Sequence, residues 1–165
     1  MAPDGRSVLA VIPARSGSKR CPGKNFKCYR GKTLIDWAVD AAKASRYIDT
    51  VKLSLDADRP PELCTDEATC EDVLRYHAER LPHDWLVLLQ PTSPQRTAAD
   101  IDACIERAML GHGCISTYMG KTNGAVYVAS AEWLAEHEFS HLGLAKYEMP
   151  EERSLDINEP EDFDR

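Results

Sequence analysis

The stretch that decides the fold is Val8-Leu-Ala-Val-Ile-Pro-Ala-Arg-Ser-Gly-Ser-Lys-Arg-Cys-Pro-Gly-Lys-Asn25, an apolar run followed by a basic, glycine-containing loop. A continuous run of Val, Leu and Ile is typical of a strand that is buried on both faces of a parallel sheet. Between Arg15 and Lys32 lie seven basic residues and no acidic one, whereas the remaining 13 Lys and Arg stand against all 27 Asp and Glu. A solvated basic loop is one explanation, but the preceding strand and the glycines favour an anion-binding site.

The composition sets limits on the class of protein. With 165 residues, of which 43% are hydrophobic, we expect a single domain spanning residues 1–165. The apolar run at 8–12 is too short for a signal peptide and no run could cross a bilayer, so we expect a cytoplasmic protein with no membrane partner. The net charge of −7 argues against a nucleic-acid surface. The six cysteines form no CxxC pair, so we expect reduced thiols, with Cys104 and Cys114 buried.

Strand and helix patterns alternate along the chain. The predicted strands are residues 7–12, 50–55, 85–89, 113–118, 124–129 and 145–149, and the predicted helices begin at Thr33 and cover 69–80, 97–110 and 131–141. This order predicts an α/β fold with a doubly wound, mostly parallel sheet and helices on both faces. Ligands bind beyond the carboxyl ends of such strands, so the basic loop and the extended Gln90-Pro-Thr-Ser-Pro-Gln-Arg96 segment should face one crevice.

Two familiar motifs are matched only in part. The basic loop has five residues between Gly17 and Gly23 where a P-loop has four, and Asn25 stands where that motif has Ser or Thr. The segment His137-Glu-Phe-Ser-His141 is a literal H-E-x-x-H, which on a helix would place two zinc ligands one turn apart. Surface histidines on a short helix would give the same pattern, and no third ligand is obvious.

Five further motifs occur in one order along the chain. After the basic loop and Gly31-Lys-Thr-Leu34 come Arg59-Pro-Pro-Glu-Leu63, Leu88-Leu-Gln-Pro-Thr-Ser-Pro-Gln-Arg96, Asn123-Gly-Ala-Val-Tyr127 and Pro150-Glu-Glu-Arg-Ser-Leu-Asp-Ile-Asn-Glu-Pro-Glu-Asp-Phe163. Over about residues 8–163, this order resembles the CMP-sialic acid synthetases (acylneuraminate cytidylyltransferases) and, more distantly, the CMP-Kdo synthetases.

The resemblance implies a Rossmann-like nucleotidyltransferase fold and a Mg²⁺-dependent transfer of CMP from CTP to the anomeric hydroxyl of a sialic-acid-like 2-keto acid, with release of pyrophosphate. It implies nucleotide contacts from Arg15, Ser18, Lys19, Lys24, Asn25, Arg59, Ala68 and Gln90. Acceptor contacts would come from Gln90, Thr92, Arg96, Lys121, Asn123 and Tyr127. Asp156 and Asn158 would bind the metal ion, and Arg15, Lys19 and Asp156 would carry the transfer step.

The chain departs from the family pattern in three places. Cys70 replaces a hydroxyl residue near the base, and Asn158 replaces the second aspartate of an Asp-x-Asp pair. Only residues 119–122 stand where the family has a long insert that covers the sugar and forms a dimer arm. We therefore expect an open acceptor side and either a monomer or a dimer different from the family's. A non-catalytic nucleotide-binding protein, or an enzyme acting on Kdo or a phosphonate, remain alternatives.

Overall fold

Six of the eight strands form one mixed sheet in the order β4-β1-β5-β7-β6-β8 in the computed structural model, which describes residues 1–165. The strands are β1 (Val8–Pro13), β2 (Cys28–Tyr29), β3 (Lys32–Thr33), β4 (Thr50–Ser54), β5 (Trp85–Leu88), β6 (Gly113–Tyr118), β7 (Lys121–Ser130) and β8 (Ala145–Glu148). Only β7 runs against the other strands of this sheet. The mostly parallel sheet predicted from the sequence is therefore confirmed, and β2 and β3 form a separate small hairpin.

The helices are α1 (Leu34–Ala44), α2 (Cys70–Arg80), α3 (Ala98–Ala108) and the single turn α4 (Ala131–Leu134). Thr33, Thr69 and Thr97 cap the three long helices in the same way. Each threonine side chain accepts a hydrogen bond from the backbone N–H three residues later, where an aspartate binds back to the threonine N–H. None of the helices is long and apolar enough to span a membrane.

The core lies on both faces of the sheet. Every residue of β1 is buried, and alternate side chains point to opposite faces. Val8, Ala10 and Ile12 pack in the cluster that includes α1 and α3, whereas Leu9 and Val11 pack in the cluster that includes α2 and α4. The apolar run at residues 8–12 is thus an inner strand of the sheet, paired with β4 and β5, and its two-sided burial explains why it lacks an alternating polar pattern.

Two element predictions are wrong at their boundaries. The strand β7 begins at Lys121, so the chain reverses at Met119 and Gly120 alone, whose φ angles of 49° and 74° give a two-residue hairpin turn. The predicted helix over 131–141 ends at Leu134. The ring of His137 stacks on Trp133, and His141 meets the edge of the His137 ring. The helical spacing that a zinc motif needs is therefore not present.

Candidate functional site

The basic loop leaves the carboxyl end of β1 and is fastened to the segment after β4. Asp56 Oδ2 accepts hydrogen bonds from the backbone N–H of Ser16, at 3.1 Å, and from the Ser16 hydroxyl. The hydrogen bond from that hydroxyl is the main cause that lowers the pKa of Asp56. The loop then turns at Gly23, with φ 65°, into the short 3-10 turn Lys24–Phe26. Asp56 therefore holds the start of the loop, at Ser16, against the segment after β4.

A cavity of about 410 Å³ opens beside this loop, between the ends of β1, β4 and β5 and the start of α2. The structure brings all eight residues for which the sequence predicts nucleotide contacts to its wall: Arg15, Ser18, Lys19, Lys24, Asn25, Arg59, Ala68 and Gln90. Thr92, for which acceptor contact is predicted, lines this cavity instead. Cys70 also lines it, and burial raises the pKa of its thiol. We call this space the nucleotide cavity.

One carboxylate bridges two cations at the mouth of the nucleotide cavity. Arg15 Nη2 lies 2.8 Å from Asp66 Oδ1, and Lys19 Nζ lies 2.8 Å from Asp66 Oδ2. Hydrogen bonds from Lys19 and then Arg15 lower the pKa of Asp66. Sequence reasoning did not find Asp66, because an acidic residue in an acidic loop carries no local signal of such pairing. Its position shows that the two side chains can hold an anionic oxygen between them.

Lys24 links the basic loop to the carboxyl-terminal segment. Its Nζ donates to the carbonyl oxygen of Ile157 at 3.3 Å and to Asn158 Oδ1 at 3.4 Å. Burial lowers the pKa of Lys24, and the charge of Asp156 acts in the opposite direction. The loop that carries the cations and the segment that carries the predicted metal ligands are therefore in direct contact.

Two buried side chains of the nucleotide cavity have polar atoms without a protein partner. Asn25 donates from Nδ2 to the carbonyl oxygen of Arg15 at 3.1 Å, while its Oδ1 has no donor. Arg59 donates to the carbonyl oxygens of Leu63 and Ser54, while its Nε has no acceptor. Buried polar groups are usually paired, so these two atoms are exceptions within the wall of the cavity.

A second cavity of about 610 Å³ adjoins the first, and Gln90 lines both. Its wall consists of Gln90, Tyr118, Met119, Lys121, Thr122, Asn123, Gly124, Tyr127, Ser154 and Asp156. Four of the predicted acceptor contacts (Gln90, Lys121, Asn123 and Tyr127) thus lie together. Burial raises the pKa of Tyr127 to about 12, so its hydroxyl is neutral at ordinary pH. We call this space the acceptor cavity.

An irregularity in β7 shapes the acceptor cavity. The pairing of β6 with β7 jumps from Ile115↔Tyr127 to Thr117↔Thr122, so several residues of β7 bulge out of the ladder. Within the bulge, Asn123 Oδ1 accepts from the Ser116 hydroxyl at 2.6 Å, and its Nδ2 donates to the Ser154 hydroxyl at 3.2 Å. Gly124 has φ 79°, a conformation that favours glycine. The bulge turns Asn123 towards the carboxyl-terminal segment and brings Ser154, which sequence reasoning missed, into the wall.

The prediction that Arg96 lines the acceptor side is wrong. Its side chain is only 4% exposed, and its Nη1 donates to the carbonyl oxygens of Gln90, at 3.0 Å, and Ala125, at 2.6 Å. The physical reason is the course of the preceding chain. Ser93 N–H donates to the carbonyl of Gln90 and Arg96 N–H to that of Ser93, so residues 90–96 form two successive turns and are not extended. These turns direct Arg96 beneath the strand ends.

The comparison with known proteins agrees with this geometry. A protein-family model described as cytidylyltransferase matches residues 9–79, the part of the chain that supplies β1, the basic loop, Arg59 and Ala68. Over these residues the chain is similar to cytidylyltransferases. It is 28% identical over 211 residues to the N-acylneuraminate cytidylyltransferase of Streptococcus agalactiae serotype III, which covers 94% of this chain. The resemblance predicted from the sequence is thus confirmed.

The match leaves much of that cytidylyltransferase uncovered. The chain spans about half of its length, 51%. The aligned region of 211 residues is also longer than the 165 residues of this chain, so the relative has residues within the matched region that this chain lacks.

Two solved structures show the same fold. A CMP:2-keto-3-deoxy-manno-octonic acid synthetase complexed with CTP superimposes with a TM-score of 0.68 at 14% identity, covering 94% of each chain. Rv0371C of Mycobacterium tuberculosis H37Rv, in complex with manganese, superimposes with a TM-score of 0.70 at 18% identity, covering 96% of this chain and 97% of the other. At these identities the likeness concerns the fold alone, and it confirms the Rossmann-like fold.

The metal ligands predicted from the cytidylyltransferase resemblance lie side by side. Asn158 Nδ2 donates to Asp156 Oδ2 at 2.7 Å, while Asn158 Oδ1 accepts from Lys24 and from Arg20, each at 3.4 Å. No three His, Cys, Asp or Glu side chains come together to form a cage. One carboxylate next to a cation-lined cavity fits Mg²⁺ that is held mainly by phosphate oxygens and water. The donor set therefore suits a metal ion that arrives with a nucleotide.

Proposed function

We propose that this protein transfers CMP from CTP to a hydroxyl of a sialic-acid-like 2-keto sugar acid, with Mg²⁺ as the cofactor and pyrophosphate as the second product. The observation that carries the proposal is the meeting of two cavities at Gln90, one lined by cations and the other by hydrogen-bonding side chains. A nucleotide in the first and an acid in the second would bring the two reactants together beside Gln90.

The nucleotide cavity suits a nucleoside triphosphate. Arg15, Lys19 and Lys24 would neutralise the phosphate oxygens, as the pairing of Asp66 with the first two supports. The side chains of Asn25 and Arg59, which line the same cavity, would contact the nucleoside. The matched family model and the CTP complex of the synthetase with the same fold favour CTP as the nucleotide.

The acceptor cavity suits a polyhydroxylated acid. Gln90, Asn123 and the neutral hydroxyl of Tyr127 would hydrogen-bond to sugar hydroxyls, and Lys121 is the one cation on the wall for a carboxylate. The names of the relative and of the synthetase refer to an N-acylneuraminic acid and to 2-keto-3-deoxy-manno-octonic acid. Sugar acids of this class are therefore the acceptors to test first.

In the proposed reaction, the acceptor hydroxyl attacks the α-phosphorus of CTP and loses its proton. The new oxygen–phosphorus bond forms as the bond between the α-phosphorus and the oxygen that bridges it to the β-phosphorus breaks. Pyrophosphate then leaves and carries the negative charge that develops on that oxygen. Such a transfer needs alignment of the reactants and neutralisation of charge more than covalent help from the protein. Arg15 and Lys19 would stabilise the leaving pyrophosphate, and Gln90 would orient the hydroxyl. A divalent ion held by Asp156 would supply further charge neutralisation, and the manganese complex of Rv0371C supports such an ion.

A second candidate is a nucleotide-binding protein that lacks transfer activity. The observation in its favour is that the amide of Asn158 donates to Asp156 and its oxygen faces Lys24 and Arg20, which leaves a single charged metal ligand. Such a protein would bind CTP without turning it over.

The experiment that separates the two candidates is a pyrophosphate-release assay with Mg²⁺, CTP and a panel containing N-acetylneuraminic acid, Kdo and a phosphonate. We expect release that depends on both CTP and one or more acids, with UTP as the nucleotide control. Calorimetric titration of CTP in the absence of an acid runs in parallel. Tight CTP binding with no release for any acid would contradict the transferase and support the binding protein.

A further inference from the structure

Arg96 lies behind the point at which the two cavities meet. A single guanidinium nitrogen, Nη1, donates to the carbonyl oxygen of Gln90 at 3.0 Å and to that of Ala125 at 2.6 Å. Gln90 lines both cavities, and Ala125 directly follows the Asn123–Gly124 part of the β7 bulge. Arg96 therefore joins the segment that separates the two reactants to the segment that would contact the acceptor.

The backbone ladder does not hold these two segments together. The antiparallel pairing of β5 with β7 runs from Trp85↔Ser130 to Leu88↔Tyr127 and stops there. Gln90 and Ala125 both lie beyond the last pair, where the strand ends separate to form the crevice. At this point the two hydrogen bonds from Arg96, and not the ladder, hold the two strand ends at a fixed distance from each other.

The burial of the charged Arg96 side chain indicates that its charge has a function. The side chain is 4% exposed, and burial lowers its pKa to about 10, so that it stays protonated at neutral pH. The nearby charge of Asp100 acts in the opposite direction, but that carboxylate is already bonded to Arg153, Tyr147 and Thr97. A buried cation is costly where an apolar side chain would pack more cheaply. What the guanidinium supplies in return is the pair of carbonyl contacts.

We propose that Arg96 is a positioning residue for the transfer reaction, because it sets the separation between Gln90 and the acceptor-binding bulge. The inference rests on the proposed function. It assigns to Arg96 an action through the backbone and no contact with either reactant. The basic loop is fastened separately, by Asp56, so loss of Arg96 should leave that loop and its cations in place.

The test compares Arg96→Met and Arg96→Lys with a matched control, Arg75→Met. Arg75 also donates to two backbone carbonyls, those of Leu134 at 3.2 Å and His137 at 2.7 Å, but on the other face of the sheet and away from both cavities. The three variants and the parent chain are measured for CTP affinity, for kcat and acceptor KM, and for hydrogen exchange of residues 89–92 and 123–127.

For Arg96→Met we expect kcat/KM for the acceptor to fall by about tenfold to a hundredfold, because a small misplacement of the reactants causes a loss of this size. CTP affinity should fall by much less than the acceptor kcat/KM, since Gln90 is the one predicted nucleotide contact that Arg96 holds. Arg96→Lys keeps the charge and should recover part of the loss. Exchange at 89–92 and 123–127 should accelerate in Arg96→Met. The Arg75→Met control should unfold at a lower temperature but keep the kinetics and the exchange of both segments.

Three results would overturn the inference: unchanged acceptor kinetics in folded Arg96→Met, an equal kinetic loss in the control, or an equal loss of CTP affinity. If Arg96→Met does not fold, Arg96→Lys decides by the same readouts. If the parent chain transfers no CMP, the proposed function fails, and hydrogen exchange still tests the inference about Arg96. In that case faster exchange of both segments in the Arg96 variants alone supports the positioning role, and unchanged exchange contradicts it.

Discussion

The two cavities that meet at Gln90 are built in opposite ways. Four of the five cations that line the nucleotide cavity come from one short segment, residues 15–24, that follows β1, and the fifth is Arg59. The acceptor cavity takes its wall from three separate parts of the chain, residue 90, residues 118–127 and residues 154–156, and Lys121 is its one cation. The first depends on concentrated charge, and the second depends on how distant backbone segments are held against each other. We infer that charge dominates binding of the nucleotide and that geometry dominates use of the acceptor.

The two cavities also differ in how they are closed. Asp66 already bridges Arg15 and Lys19 at the mouth of the nucleotide cavity. The acceptor cavity is bordered by the two-residue turn at Met119 and Gly120, where Met119 is 77% exposed, so nothing there covers an acid. Fewer contacts leave less binding energy for discrimination. A high acceptor KM and tolerance of several acids would agree with this contrast, whereas a single acid with a micromolar KM would contradict it.

The largest effect should follow removal of charge from the nucleotide cavity. Lys19→Ala should lower kcat/KM by about tenfold to a hundredfold, because one charge-assisted contact with phosphate is lost. Lys32→Ala is the matched control, since Lys32 belongs to the same basic stretch and pairs with Asp40 but does not line the cavity. Steady-state pyrophosphate release measures both. Equal rates for the two variants would remove Lys19 from the site.

A smaller effect, confined to the other substrate, should follow removal of the acceptor-side cation. Lys121→Ala should raise the acceptor KM by about tenfold, the size of one exposed charge-assisted contact, while the KM for CTP stays unchanged. Lys146→Ala, an exposed lysine on β8 outside both cavities, is the control. If the KM for CTP changed as much as the acceptor KM, the assignment of one substrate to each cavity would be contradicted.

The predicted metal site, where Asn158 contacts Asp156 and Lys24, can be tested by adding charge. Asn158→Asp should lower the Mg²⁺ concentration needed for half-maximal rate by about threefold to tenfold, because a second carboxylate would stand beside Asp156. Magnesium titrations of pyrophosphate release compare this variant with the parent chain and with Asn158→Ala. If the titrations of Asn158→Asp and the parent chain superimpose, position 158 is not a metal ligand.

The smallest effect should come from the anion that already occupies the nucleotide cavity. Asp66→Asn should tighten CTP binding by about twofold to fivefold, as expected when an exposed ion pair no longer competes for Arg15 and Lys19. Glu67→Gln removes an adjacent negative charge that forms no ion pair with either cation, and it serves as the control. Equilibrium titration with CTP measures the Kd of each variant. Equal tightening in both variants would show that the net charge, and not the pairing of Asp66 with Arg15 and Lys19, controls the affinity.

Much of the difference between the two cavities can be predicted from the sequence alone. The apolar run of β1, the threonine caps of α1, α2 and α3, and the charge run after β1 are signals between near neighbours in the chain, so they predict the sheet, the helices and the nucleotide cavity. The short helix α4 was overestimated because apolar spacing continues past Leu134, where the chain nevertheless leaves the helix and His137 stacks on Trp133. Local pattern alone does not mark that end.

By itself, therefore, the sequence determined a mostly parallel sheet with a basic loop after its first strand, since periodicity, caps and charge runs act over a few residues. Only the tertiary structure decided that Asp66 pairs with Arg15 and Lys19, that Arg96 turns inward, and that Gln90 separates two cavities. These features join residues that are far apart in the chain, and their side-chain directions are set by the turns at 90–96 and the bulge in β7. Such directions follow from how the strand ends pack, which no local pattern encodes.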